Sequence, residues 1–178
     1  MKATGIVRRI DDLGRVVMPK EIRRTMRIRE GDPLEIYTNN DGEVIFKKYS
    51  PIGELSAFSG QYAETLHKIG GLPTVICDRD HVVAVAGLPK KEMAERRLSA
   101  EMEEILESRK TVIFSEGKAG VKPIDGTERK VSVACPILSA GDVTGAVMFV
   151  TSECKKPDDA QVKLIQAAAL FLGKQMES

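Results

Sequence analysis

Hydrophobic and polar positions change period along this 178-residue chain, and the change marks its organisation. Residues 5–10 form a short β-branched run, Asp11-Asp12-Leu13-Gly14 reads as a turn, and residues 15–18 as a second strand. Pro19 cannot continue a ladder, but its fixed φ suits the first position of a helix. Lys20–Met26 is then predicted as a short helix, with Ile22 and Met26 on one face and Arg23, Arg24 and Arg27 elsewhere. Gly31-Asp32-Pro33 breaks the chain. Leu34–Thr38 and residues 43–48 make a second hairpin, closed by Asn39-Asn40-Asp41-Gly42. Two hairpins joined by one helix cannot bury much of a core alone, and no cysteine pair or metal-ligand cluster staples this stretch. Dimerisation with interleaved hairpins is the expected remedy.

Beyond residue 53 the spacing turns helical. Residues 54–69 predict an amphipathic helix with Leu55, Phe58, Tyr62 and Ile69 at heptad positions and Leu66 widening the stripe. Gly70-Gly71-Leu72-Pro73 ends it. Thr74–Cys77 and Val82–Ala86 flank a polar turn and read as a hairpin. Residues 90–109 are expected to be helical, with Leu98, Met102, Ile105 and Leu106 inward. A strand at 111–114 and a polar surface loop at 115–129, carrying a short strand near 121–124, come next. Residues 130–138 alternate so that Val131, Val133, Cys135 and Ile137 share one face, and 143–151 pairs with them. Residues 158–176 form a last helix capped by Asp158 or Asp159. Val162, Ile165, Ala169, Leu172 and Met176 make one apolar stripe on it, and Leu164, Ala168 and Phe171 a second. One side suits a sheet of the same chain, the other a partner helix.

Charge sharpens this division. Residues 1–29 hold nine basic side chains, seven of them arginine, against three acids, whereas residues 30–46 hold five acids and no base. Over residues 1–52 the balance is 11 bases to 8 acids, and over 53–178 it is 16 to 18. A basic patch within a chain of net charge +1 points to a polyanion, and the planar fork of arginine suits phosphate and guanine edges. A solvated charged surface is the plainer alternative. Pro51 and Gly53 mark the boundary between a segment 1–52 and a segment 54–178.

The run T-G-I-V-R-R-I-D-D-L-G-R-V-V-M-P-K-E-I-R-R-T-M-R-I-R-E-G-D-P-L-E-I-Y closely resembles the AbrB-type swapped-hairpin DNA-binding domain of bacterial transition-state regulators. The resemblance implies a transcription factor built as an intertwined dimer. It implies double-stranded DNA as partner, with contacts from Arg8, Arg15, Arg23 and Arg24, and from Lys20 at a position the family varies. Arg8 and Arg9 point to opposite faces of a strand, so only one joins the surface readily; the family pattern selects Arg8. Met18 and Met26 stand where branched aliphatics are usual, which alters packing without removing charge. The order of elements in 54–178 resembles a GAF domain, by pattern rather than by motif. The implied fold is therefore α+β: an N-terminal swapped-hairpin β-barrel dimer, then a GAF-like antiparallel sheet with flanking helices. The second segment is expected to sense an unidentified small molecule, to set a homotetramer, or both. A ligand would lie on the sheet face covered by residues 90–129; the alternative is that side chains fill that face.

Other functions find less support. There is no G-x-S-x-G, no P-loop and no carboxylate pair in a recognisable setting, so no enzyme, cofactor or metal site is expected. Cys77 and Cys135 read as small buried hydrophobes, with redox chemistry a minority reading, and the odd number of cysteines argues against a disulfide framework. His67 and His81 have no ligand-like spacing to any cysteine. No apolar run approaches the ~20 residues a membrane span needs. Met1-Lys2-Ala3-Thr4 leads straight into the DNA-binding-like unit, so cytoplasm, in association with the nucleoid, is the expected compartment. The second functional class is an antitoxin of a toxin–antitoxin pair, which can use the same hairpin fold. Antitoxins carry a short, acidic, disordered tail, whereas this chain continues with regular strand and helix periodicity.

Overall fold

The computed structural model describes residues 4–114, 120–153 and 156–177. It divides into two compact units, Met1–Tyr49 and Ser50–Ser178.

In the first unit, α1 (Lys20–Met26) precedes an antiparallel pair, β1 (Leu34–Thr38) and β2 (Val44–Lys48), registered from Leu34 opposite Lys48 to Thr38 opposite Val44. The Asn39 side chain closes that hairpin by accepting the backbone N–H groups of Asp41 at 3.1 Å and Glu43 at 2.9 Å. Gly42 supplies the positive φ, +79°, that the turn requires. Residues 5–10 and 15–18, expected as strands, form no ladder among the described residues. Their turn is nevertheless closed, by Asp11 N–H to Arg15 O and Gly14 N–H to Asp11 O, both 3.0 Å. The physical reason is visible in their side chains. Val7 is 85% and Val17 73% exposed, and among the described residues of this unit only Pro19 is buried. These segments have strand composition, and among the described residues no strand pairs with them.

The second unit opens with a short helix that was not expected, α2 (Pro51–Glu54), followed by α3 (Ser56–Gly70), the expected helix of residues 54–69 begun two residues later. Ser50 Oγ accepts Gly53 N–H at 3.0 Å and starts α2, and Leu55 leaves helical geometry at φ −91°, ψ 22°. The face of α3 that enters the core is Ser59, Ala63 and Leu66, not the heptad stripe, which leaves Ile69 69% exposed. Close approach decides this. A Cβ added at Gly70 would stand 2.2 Å from the Phe149 ring, so small residues face the sheet and aromatics turn out.

The strands β3 (Thr74–Cys77), β4 (Val82–Ala86), β5 (Val112–Ile113), β6 (Lys130–Ser139) and β7 (Asp142–Thr151) make one antiparallel sheet ordered β4-β3-β7-β6-β5. Residues 90–109 hold two short helices, α4 (Lys90–Met93) and α5 (Ala100–Ser108). Between them Glu95 N–H reaches Val82 O and Val82 N–H reaches Arg96 O, each at 2.9 Å, so the chain runs beside β4 instead of continuing helically. The expected surface loop 115–129 is only partly one. Residues 115–119 lie outside the described residues, while Pro123, Ile124 and Thr127 are buried and Ile124 bridges Leu98.

The predicted single face of β6 is also corrected. The register slips between Val131 and Val133. This bulge sends Val131 and Ala134 into the cluster formed with Met93, Met102 and Ile124, and Val133 and Ile137 into the opposite one. Finally α6 (Asp159–Gln175) is capped by Asp158, which accepts Gln161 N–H at 2.7 Å while Gln161 Oε1 accepts Asp158 N–H at 3.0 Å. Ile165, Ala168, Ala169 and Leu172 bury against the β6–β7 face beside α3. The sheet is thus covered on both sides, which is why β7 is apolar almost throughout.

Candidate nucleic-acid interface

The helix α1 is set by its two ends. Pro19 precedes it and offers its carbonyl to Arg23 N–H at 3.0 Å. At the other end Ile28 N–H reaches back to Arg23 O at 2.8 Å and Arg27 N–H to Arg24 O at 3.2 Å, a Schellman closure. Its pivot is Arg27, at φ 49° and ψ 42°, in left-handed space that costs a non-glycine residue about 1–2 kcal/mol. Lys20, Arg23 and Arg24 follow one another at i, i+3 and i+4, and all three are exposed, as is Arg27 just past the helix end. The helix therefore carries one cationic stripe, with Ile22 half-buried away from it.

Arg15 is held differently. One Asp11 carboxylate oxygen accepts Arg15 N–H at 2.8 Å and Leu13 N–H at 3.1 Å; the other accepts Arg15 Nε at 2.8 Å. The Arg15 backbone N–H first, and then its guanidinium, keep the Asp11 carboxyl below its usual range. Arg15 itself stays 69% exposed at the side chain, so its base is fixed while the tip faces solvent. Arg8, also exposed, lies on the arm before the turn and donates from Nη1 to Val7 O at 3.2 Å. The structure thus gathers Lys20, Arg23 and Arg24 on one helix face and leaves Arg8 and Arg15 on the preceding arm and turn.

Two residues that sequence reasoning passed over support this surface. Asp32, its side chain only 3% exposed, accepts Arg29 N–H at 2.8 Å and lies 3.6 Å from Lys48 Nζ. Lys48 Nζ in turn donates to Arg27 O at 3.0 Å. The chain leaving α1 is thereby pinned to the β hairpin. In sequence Gly31-Asp32-Pro33 looked only like a breaker, because burial of an aspartate is not encoded by local pattern.

The second unit offers other features. Phe58, Tyr62 and Phe171 form an aromatic trio with ring centroids 5.5–6.1 Å apart. Phe171 keeps 41% of its surface exposed. An open cleft of about 480 Å³ lies between Ile69 and Gly70 of α3 and Asp158, Ala160, Gln161, Lys163 and Leu164 at the start of α6. Burial raises the Cys77 thiol well above its usual range, and its Sγ donates weakly to Ala146 O at 3.7 Å. Cys135 is half-buried and accepts the Thr111 hydroxyl at 3.3 Å. His67 Nδ1 meets Leu72 O at 2.9 Å, and His81 is exposed. Among the described residues no group of three His, Cys, Asp or Glu could hold a metal ion, and no helix is long and apolar enough to cross a membrane.

Known proteins match both units. The family described as Stage V sporulation protein T C-terminal, transcription factor, matches residues 54–177. The family described as Antidote-toxin recognition MazE, bacterial antitoxin, matches residues 7–53. Stage V sporulation protein T of Bacillus subtilis is 48% identical over 179 aligned residues, covering 99% of each chain. The transition state regulatory protein AbrB of the same organism is 61% identical over 51 residues, 29% of this chain and 52% of AbrB. Among solved structures, the GAF domain of a phosphoenolpyruvate-protein phosphotransferase from Coxiella burnetii superposes with a TM-score of 0.54 at 14% identity, over 68% of this chain and 82% of that one. At that identity the likeness establishes the fold of the second unit and nothing about its ligand.

Proposed function

The chain belongs to the stage V sporulation protein T family of transcription factors, and from that membership we propose a DNA-binding regulator of sporulation or transition-state genes, touching the duplex through Arg8, Arg15, Arg23 and Arg24, with Lys20 a lesser contact. The observation that carries this reading is the cationic stripe on α1 beside the Asp11-braced Arg15. A helix of seven residues is a poor probe for deep insertion into a groove. A broad basic surface from two intertwined protomers lies across the duplex, meets phosphates, and selects by DNA shape and flexibility. The exposed valines of residues 5–18 support the dimer, since a second chain would supply both a ladder and a cover for them.

The second unit is proposed to carry the dimer to a tetramer through α3 and α6, whose Phe58, Tyr62 and Phe171 present an aromatic face. A small-molecule ligand on the face under residues 90–129 would have to displace Met93, Met102 and Ile124, all fully buried there. That packing favours assembly over sensing. No catalysis is proposed, and cytoplasm in association with the nucleoid is the proposed compartment. The antitoxin reading is not favoured: the match at residues 7–53 is followed by a folded sheet with helices on both faces, and the full-length relative is a sporulation protein.

Fluorescence anisotropy of a labelled 30-base-pair duplex, titrated with the full chain across a salt series, tests the reading. Four arginines in each of two protomers make up to about eight phosphate contacts, so log K against log salt should fall with a slope of about −7. A slope near zero, or no binding at 50 mM salt, would remove the DNA surface.

A further inference from the structure

Arg27 was absent from the expected contacts, and its backbone sets it apart. It closes α1 in left-handed geometry, φ 49°, at the position where helices most often place glycine. An arginine kept at such a position invites a functional reason, running from the observed outlier to the hypothesis. The residue is exposed and directly follows the helix that carries Lys20, Arg23 and Arg24, so it adds a fourth cation at the C-terminal end of that stretch.

The end of a helix is ordinarily hostile to an anion, because unsatisfied carbonyls concentrate negative charge there. Here two of those carbonyls, Arg23 O and Arg24 O, are covered. Arg23 O accepts Ile28 N–H at 2.8 Å and Arg24 O accepts Arg27 N–H at 3.2 Å. Arg27 O accepts Lys48 Nζ at 3.0 Å, and Lys48 is itself fixed by the buried Asp32 carboxylate 3.6 Å away. These bonds reduce the negative end of the helix dipole where Arg27 stands and bring the Lys48 ammonium beside it.

We infer that Arg27 is a further DNA-backbone contact, delivered by its left-handed conformation and by the Asp32–Lys48 brace, with a phosphodiester oxygen as its ligand. The inference rests on the DNA-binding reading above and adds one cation per protomer to that surface.

The test is anisotropy of the full-length protein with the same labelled duplex over 50–200 mM salt, beside a thermal melt, for wild type, Arg27→Gly and Arg27→Lys. Glycine suits the backbone better than arginine does, so Arg27→Gly should melt no lower than wild type. It should nevertheless bind roughly tenfold more weakly, with a salt slope flatter by about two per dimer. Arg27→Lys should keep most of the slope. Arg27→Gly with wild-type affinity and slope would overturn the inference, as would an affinity loss that tracks a lowered melting temperature while the slope stays fixed. Wild type failing to bind the duplex at all would instead sink the DNA reading beneath it, so the two failures are distinguishable.

Discussion

Asp11 and Arg15 meet three times in one turn: each carboxylate oxygen accepts an Arg15 nitrogen at 2.8 Å, one from the backbone and one from Nε, and the Asp11 N–H is returned to Arg15 O at 3.0 Å. An aspartate placed this way costs the basic surface one negative charge and returns a fixed position for an arginine. Because the guanidinium is engaged through Nε, its outer nitrogens can face a phosphate without releasing Asp11.

Asp11→Ala should therefore weaken DNA binding roughly three- to tenfold despite raising the net positive charge. Asp11→Asn, which can keep the backbone bonds and loses only the ion pair, should lie between. Anisotropy on both variants checks this, and an Asp11→Ala protein that binds more tightly than wild type would show that the charge outweighs the bracing. The pH dependence has a definite sign. The folded-state pKa is depressed below the ordinary 3.8, so this contribution is fully present above that value and is lost as pH falls through the lowered pKa. Carboxylate NMR should place the Asp11 midpoint below 3.8.

How much of this was legible in sequence varies with the range of the interaction. The α1 boundaries, both tight hairpins of the second unit and the stripe of Lys20, Arg23 and Arg24 follow from local pattern, since propensity, turn residues and charge act within a few positions. The bulge at Ser132 did not follow, because alternation predicts one face only while the register is unbroken, and the break is set by β7. The inward face of α3 was misplaced for a related reason. Heptad spacing marks an apolar stripe, but contact with Phe149 selects the smaller one. Nor could local pattern give the left-handed Arg27 or the buried Asp32, which depend on where β2 brings Lys48.

Assembly should separate into two steps. The fragment 1–52 is expected to be an obligate dimer, because burying each exposed valine of the arm contributes about 1.5–3 kcal/mol that a lone chain cannot collect. Val17→Asp should abolish its folding by placing a charge in that interface. The full chain is expected to be a tetramer, and Phe171→Ser should reduce it to a dimer that still binds DNA. Light scattering distinguishes every case. A stable full-length monomer would contradict both steps, and a wild-type dimer only the second.

Two substitutions in the second unit should act in opposite directions. Ser59 Oγ is fully buried on α3 with no hydrogen-bond partner among the described residues. Ser59→Ala removes an unsatisfied hydroxyl and improves helix propensity, so a gain of about 1–2 kcal/mol is expected by thermal or denaturant unfolding. Gly173 sits where an added Cβ would come 2.1 Å from Leu138 O. Gly173→Ala should lose about 1–3 kcal/mol, because backbone cannot yield as a side chain can, and this exceeds the helix-propensity gain. A stabilised Gly173→Ala protein would mean that α6 can lift from β6 at little cost.

The manner of DNA reading is decided by Arg23 and Arg24. Both are exposed on a helix with no buried residue, so neither is needed to hold α1 in place, and replacing either should leave folding unchanged. If each meets a phosphate, alanine at either position removes two contacts per dimer and flattens the salt slope by about two. The loss should then be of similar size on every sequence, because phosphates are the same at every step. Preference among sequences would survive, carried by how readily each duplex adopts the shape the surface requires. A base-reading arginine behaves otherwise. Removing a bidentate contact to guanine costs about 1–3 kcal/mol at one position and leaves non-specific binding almost untouched. Affinity and slope measured for Arg23→Ala and Arg24→Ala on a preferred and a scrambled duplex separate the two. Equal losses with a flatter slope support the phosphate surface; lost preference with an unchanged slope would make that arginine a reader of bases and end the shape-reading account.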